Sequence, residues 1–86
     1  MRVKVQLFAR LRELAGRSEC DCDVRAGATV EDVWHTLAAE YPGLAPFGRA
    51  VSCAINTDFA RKTAEVRDGD HVAFLPPVSG GFDPNL

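Results

Sequence analysis

The feature that most constrains this chain is an apolar stripe that begins at Val30. Val30, Val33, Trp34, Leu37, Ala38 and Tyr41 recur at i, i+3, i+4, i+7, i+8 and i+11, one continuous face of an α-helix. Thr29 supplies an N-cap hydroxyl in front of it, and Asp32 stands where the acidic half of a capping box belongs. Pro42-Gly43 stops the helix. A lone amphipathic helix has nothing to bury its stripe against, so the rest of the chain must supply a matching surface. His35 lies beside the stripe, next to Trp34, and reads as a partly exposed structural histidine.

The flanking segments have the two-residue period of strands. Val3, Val5 and Leu7 alternate with Lys4, Gln6 and Phe8, which puts Phe8, an aromatic, on the polar side. Residues 9 to 15 are strong helix formers, with Gly16 placed to cap their end. Residues 19 to 25 alternate again, with Cys20, Cys22 and Val24 on one face. Residues 50 to 55 read as a mostly buried strand, Asn56-Thr57-Asp58 as a turn, and Phe59-Ala60 as a short edge strand. Asp68-Gly69-Asp70 turns into a last strand, His71 to Leu75, which Pro76-Pro77 ends because proline cannot continue a central ladder. With Val72 and Phe74 facing the core, Leu75 falls on the outer face together with His71 and Ala73. The order strand, strand, long helix, strand, short strand, strand is satisfied by one helix packed on one mixed sheet of four to five strands. The connection through the helix would be a right-handed crossover between parallel strands. This is the α+β architecture called the β-grasp, or ubiquitin-like, fold.

Size and charge remove several classes of function. A chain of 86 residues forms one small domain with a single core and no room for a deep private active site. Its net charge is −2, and the densest basic stretch, Arg10, Arg12 and Arg17, is interrupted by Glu13 and Glu19, so a nucleic-acid surface is not expected. No apolar run approaches the ~20 residues of a membrane span, and Met1 to Val5 lacks a signal-peptide pattern, so a cytoplasmic protein is expected. The three cysteines, Cys20, Cys22 and Cys53, make an odd count, which argues against a disulfide framework. With a histidine they match no zinc spacing, so they read as buried thiols and no metal site is expected. His35 and His71 have no neighbouring nucleophile motif, and no glycine-rich loop precedes a helix, so no catalytic constellation or bound cofactor is expected either.

What remains for chemistry is the tail, Pro76-Pro77-Val78-Ser79-Gly80-Gly81 and the five residues after it. The prolines hold the chain extended as it leaves the sheet. Gly80 and Gly81 form a segment without side chains, thin enough to thread a narrow channel, and a terminal glycine carboxylate is an unhindered electrophile once activated. Flexible glycine tails are common; a diproline arm followed by Gly-Gly on a ubiquitin-like sheet is far more specific.

The sequence resembles the MoaD family, the small, sulfur-carrying subunit of molybdopterin synthase. The resemblance rests on Phe8 to Gly16, Thr29 to Trp34, Tyr41-Pro42, Ala54-Ile55-Asn56 and, most specifically, Asp68 to Gly81. It spans residues 1 to 81, which form the expected carrier domain, with 82 to 86 as an extension. The resemblance implies that an adenylating enzyme (MoeB-like) uses ATP to activate the Gly81 carboxylate, and that a sulfur donor then converts it to a thiocarboxylate. That group would donate sulfur to a pterin precursor in the large synthase subunit (MoaE-like), which supplies the acid-base groups. It further implies that an apolar patch of Phe8, Phe59 and Leu75, continuing into Pro76, Pro77 and Val78, docks the carrier on its partners. Related carriers serving thiamine, cysteine or tRNA thiolation, and ubiquitin-like protein modifiers, are the alternatives.

Members of that family end at the second glycine, whereas this chain continues through Phe82-Asp83-Pro84-Asn85-Leu86. With Gly81 inside a peptide bond there is no carboxylate to adenylate. A tail-removing protease, a linker into a following large-subunit domain, or an appended or diverged end would each account for these residues. Pro84 and the lack of a tag-like composition favour the first two.

Overall fold

In a computed structural model, which describes residues 1–77, the strands are β1 (Arg2–Leu7), β2 (Glu19–Asp23), β3 (Ser52–Ile55), β4 (Asp58–Ala60) and β5 (His71–Leu75). The helices are α1 (Ala9–Ala15), α2 (Val30–Glu40) and a 3₁₀ helix, Pro42–Phe47. The strands form one mixed sheet in the order β2-β1-β5-β3-β4. β5 lies at its centre, parallel to β1 and antiparallel to β3. β2 and β3, joined through α2, therefore run parallel to each other with β1 and β5 between them.

The two periods read from the sequence meet in the core. Val3, Val5 and Leu7 from β1 and Val72 and Phe74 from β5 point to one side of the sheet and are at most 1% exposed. Val30, Val33, Trp34 and Leu37 of α2 close over them. The Trp34 indole meets the Phe74 ring edge-on, with centroids 5.0 Å apart, a favoured arrangement for aromatic quadrupoles. Thr29 caps α2 as a full capping box: its hydroxyl accepts from the Asp32 N–H at 3.3 Å, and the Asp32 carboxylate accepts from the Thr29 N–H at 2.9 Å. Gly16 ends α1 at φ 76°, a left-handed conformation that costs a glycine nothing. His35 lies on the solvent side of α2, with Nε2 3.9 Å from Glu31.

Several boundaries differ from the sequence expectation. Beyond Pro42-Gly43 the chain continues as the 3₁₀ helix, driven by burial: Leu44 is fully enclosed beneath the two helices. β2 stops at Asp23 rather than residue 25, and β3 starts at Ser52 rather than 50, since residues 48 to 50 turn out of the 3₁₀ helix. The β3–β4 turn is tighter than expected. Asn56 and Thr57 alone carry positive φ, 50° and 76°, and Asp58 already pairs with Ile55. Of the thiols, Cys22 and Cys53 are buried, but Cys20 is only half-buried.

Candidate functional site: the outer sheet face at the root of the tail

The sheet face opposite α2 is built by the residues that alternate with the core. The register aligns Gln6 of β1, Ala73 of β5, Ala54 of β3 and Phe59 of β4 in one row across it. Leu75 lies beside Ser52 in the row nearer the tail. Ala54 and Ala73 are small, so they form a floor, and the larger side chains around them stand as walls.

Phe8 is one wall. Leu7 is buried, so continued alternation turns Phe8 outward, where it is 37% exposed. Its N–H donates to the Phe74 carbonyl at 3.3 Å, which ties it to the end of β5. Ala9 then takes φ 51°, a costly conformation for alanine, and swings the chain from strand into α1 within one residue. Phe59 is the opposite wall. Its place on the short edge strand leaves nothing above it, and it is 80% exposed.

Two depressions result. One of about 280 Å³ lies between Phe8 and Leu75 on one side and Phe59 and His71 on the other. The second, about 600 Å³, runs along the start of the tail and is lined by Phe8, Ala9, Arg10, Phe47, Leu75, Pro76 and Pro77. Phe8 and Leu75 border both. The structure thus brings Phe8, Leu75, Pro76 and Pro77 to one groove and joins Phe59 to it through the alanine floor. Val78, Gly80 and Gly81, and the extension 82 to 86, lie outside the described residues. Sequence reasoning missed Phe47, which the 3₁₀ helix delivers to the groove. An aromatic directly after the Pro42–Pro46 segment, with no regular element to bury it, was the available signal.

The site offers apolar contact and little else. Among the described residues Arg10 is the one ionic group in the larger groove, and it pairs with Glu13 at 3.2 Å. Burial pushes the thiols of Cys20, Cys22 and Cys53 above the ordinary cysteine value, so they stay protonated at neutral pH and are poor nucleophiles. Among the described residues no three His, Cys, Asp or Glu side chains gather as metal ligands, and no helix is long and apolar enough to cross a membrane. An exposed aromatic and aliphatic patch beside the point where the chain leaves the sheet is suited to contact with another protein.

Fold and site together define a ubiquitin-like β-grasp domain with an exposed apolar face where the chain leaves its central strand. Residues 5–81 match the ThiS family, and the chain belongs to it. It is 36% identical to the molybdopterin synthase sulfur carrier subunit of Chlamydomonas reinhardtii, over 94% of this chain and all of that one. It is 34% identical to small archaeal modifier protein 3 of Haloferax volcanii, again over 94% of this chain and all of the relative. Among solved structures, SAMP1 of Haloferax volcanii superposes with a TM-score of 0.82 at 31% identity, covering 94% of this chain and 100% of that chain.

Proposed function

We propose that this chain is a sulfur carrier for molybdopterin synthesis, working as the small subunit of molybdopterin synthase. The observation that carries the reading is the patch of Phe8, Leu75, Pro76 and Pro77 at the point where the chain leaves the central strand towards Gly80-Gly81. Its full-length similarity to a sulfur carrier subunit agrees with it.

The chemistry belongs to Gly81. Its carboxylate attacks the α-phosphate of ATP on an adenylating enzyme, giving an acyl-adenylate and releasing pyrophosphate. Sulfur from a donor then adds to the acyl carbon, and AMP leaves with the bonding electron pair. The resulting thiocarboxylate is ionised at neutral pH and more nucleophilic than the carboxylate. In the large synthase subunit it forms the carbon–sulfur bond to the pterin precursor, and hydrolysis restores the carboxylate. The carrier supplies no acid or base; ATP is bound by the partner. Phe82 and whatever follows it, a processed tail or a linker, must be removed first by cleavage after Gly81, in the cytoplasm where these partners work.

Intact mass spectrometry of the chain from its native cell tests this. The expected species ends at Gly81 with one oxygen replaced by sulfur. A chain that stays full-length and unmodified while the cofactor is being made refutes the reading. The similarity to an archaeal modifier protein favours a second reading, in which Gly81 is joined to lysines of other proteins. Higher-mass conjugates on a denaturing gel that disappear when Gly81 is deleted would select it.

A further inference from the structure

The apolar face is not charge-neutral around its rim. On the tail side, the β3–β4 register continued by one residue sets Arg61 opposite Ser52, which itself neighbours Leu75. Arg49 precedes β3, and Arg49, Ser52, Phe59 and Arg61 line a common depression of about 430 Å³. Lys62 holds this corner together by donating from Nζ to the Gly48 carbonyl, which fixes the turn that carries Arg49. Both arginines are exposed, and among the described residues neither forms a salt bridge. The far edge carries acids as well as bases. Glu19, Asp21 and Asp23 alternate out of β2 on the same face, answered by Lys4 opposite Asp21 and by the Arg2–Asp23 pair at 3.0 Å.

We propose that Arg49 and Arg61 receive carboxylates of the protein that docks on this face, and that they set the rotation in which it seats. The inference rests on the docking role given above and names the chemistry of the surface that fits it. An apolar patch with a shallow alanine floor specifies contact but not azimuth. A face with unpaired cations at one edge and acids largely paired with bases at the other favours one orientation of a partner that carries its carboxylates on one side. The occupant is an acidic protein surface. A polyanion such as RNA, lying across the face, would run onto Glu19, Asp21 and Asp23. Two guanidiniums beside Phe59, unpaired among the described residues, suit carboxylates flanking an apolar side chain, because each planar fork donates two N–H bonds to a carboxylate.

The test uses the full chain and two partners, the large synthase subunit and the adenylating enzyme of the same organism, with association rates measured across a salt series. R49E/R61E is expected to bind at least one of them about tenfold or more slowly at low salt, with the difference shrinking as salt screens it. R49K/R61K retains most of the rate. R49Q/R61Q, which adds no repulsion, gives an intermediate rate and serves if the reversal variant misfolds. Rates within about twofold of wild type for both partners, with unchanged salt dependence, overturn the inference and leave the docking role standing. Failure of the wild-type chain to bind either protein overturns both. Retention of a single-stranded RNA probe that R49E/R61E loses, with partner binding unaltered, assigns the arginines to nucleic acid and overturns the inference as well.

Discussion

Phe59 separates the demands of binding from those of folding, because the structure gives it almost no part in the core. It is 80% exposed and faces Ala54 across the β3–β4 ladder. Fully burying a phenylalanine is worth about 1.5–3 kcal/mol, and most of that remains to be gained when a partner covers it. Phe59→Ala is therefore expected to weaken binding to the large synthase subunit by about tenfold to a hundredfold, at 1.4 kcal/mol for each factor of ten. The same change removes only a cross-strand pair from the free protein, worth about 0.2–1 kcal/mol, so the melting temperature should fall by at most about 4–8 °C. Phe74→Ala is the control. Phe74 has no exposed surface and packs on Trp34, and its truncation should cost about 3–5 kcal/mol of fold stability. Isothermal titration with the large subunit gives the first number, and scanning calorimetry of the free chain gives the second. An unaltered dissociation constant for Phe59→Ala, or a melting temperature lowered as far as that of Phe74→Ala, would refute this division of labour.

Other expectations follow from single features. Thr29→Ala removes the hydroxyl that closes the α2 capping box and should cost about 1 kcal/mol, seen as a lower urea midpoint with unchanged slope. The backbone N–H of Thr29 holds the Asp32 carboxyl below its ordinary value, so Asp32 adds stability above its unfolded pKa and loses it as pH falls through the lower folded value. Asp32→Asn should accordingly flatten the acid limb of the stability–pH curve below about pH 4, measured by thermal unfolding. Gly16→Ala places a side chain at φ 76° and should destabilise the chain by about 1 kcal/mol in a urea melt, with the α2 cap unaffected. Alkylation of the native protein should reach half-buried Cys20 first and spare Cys22 and Cys53 until unfolding, as read by peptide mapping.

The elements that were legible in the sequence are those whose partners are implied by their own periodicity. The α2 stripe and its capping box required no tertiary information, nor did the alternation in β1 and β5 that turns Phe8 and Leu75 outward. The 3₁₀ helix was not legible, because its conformation is set by the space under α1 and α2 that Leu44 fills, and neither propensity nor period announces such a fit. Phe47 was lost with it. The late start of β3 has the same origin: Ala50 has strand-like neighbours, yet its N–H donates to the Phe47 carbonyl at 3.0 Å and extends the turn. The charged rim was invisible for a different reason. Arg49 and Arg61 are twelve positions apart, and only the β3–β4 pairing brings them to one corner.

Placing β5 at the centre of the sheet explains why one strand can serve both the fold and the tail. Its even residues, Val72 and Phe74, are core; its odd residues, Ala73 and Leu75, make the floor and ridge of the exposed apolar face. Ladders to β1 on one side and β3 on the other hold the strand, so a pull on the tail is resisted by two rows of backbone hydrogen bonds rather than one. Pro76 and Pro77 then end the ladder at the apolar groove they help to line, so the tail starts beside the patch proposed to receive a partner. The same economy makes the strand intolerant of register error. A shift of one residue would put Leu75 into the core, expose Phe74, and move the prolines inside the ladder. Correct pairing of β5 is thus a condition for the core and for the presentation of the tail alike. Substitutions in this strand should separate cleanly by parity, odd positions failing in binding and even positions failing in folding.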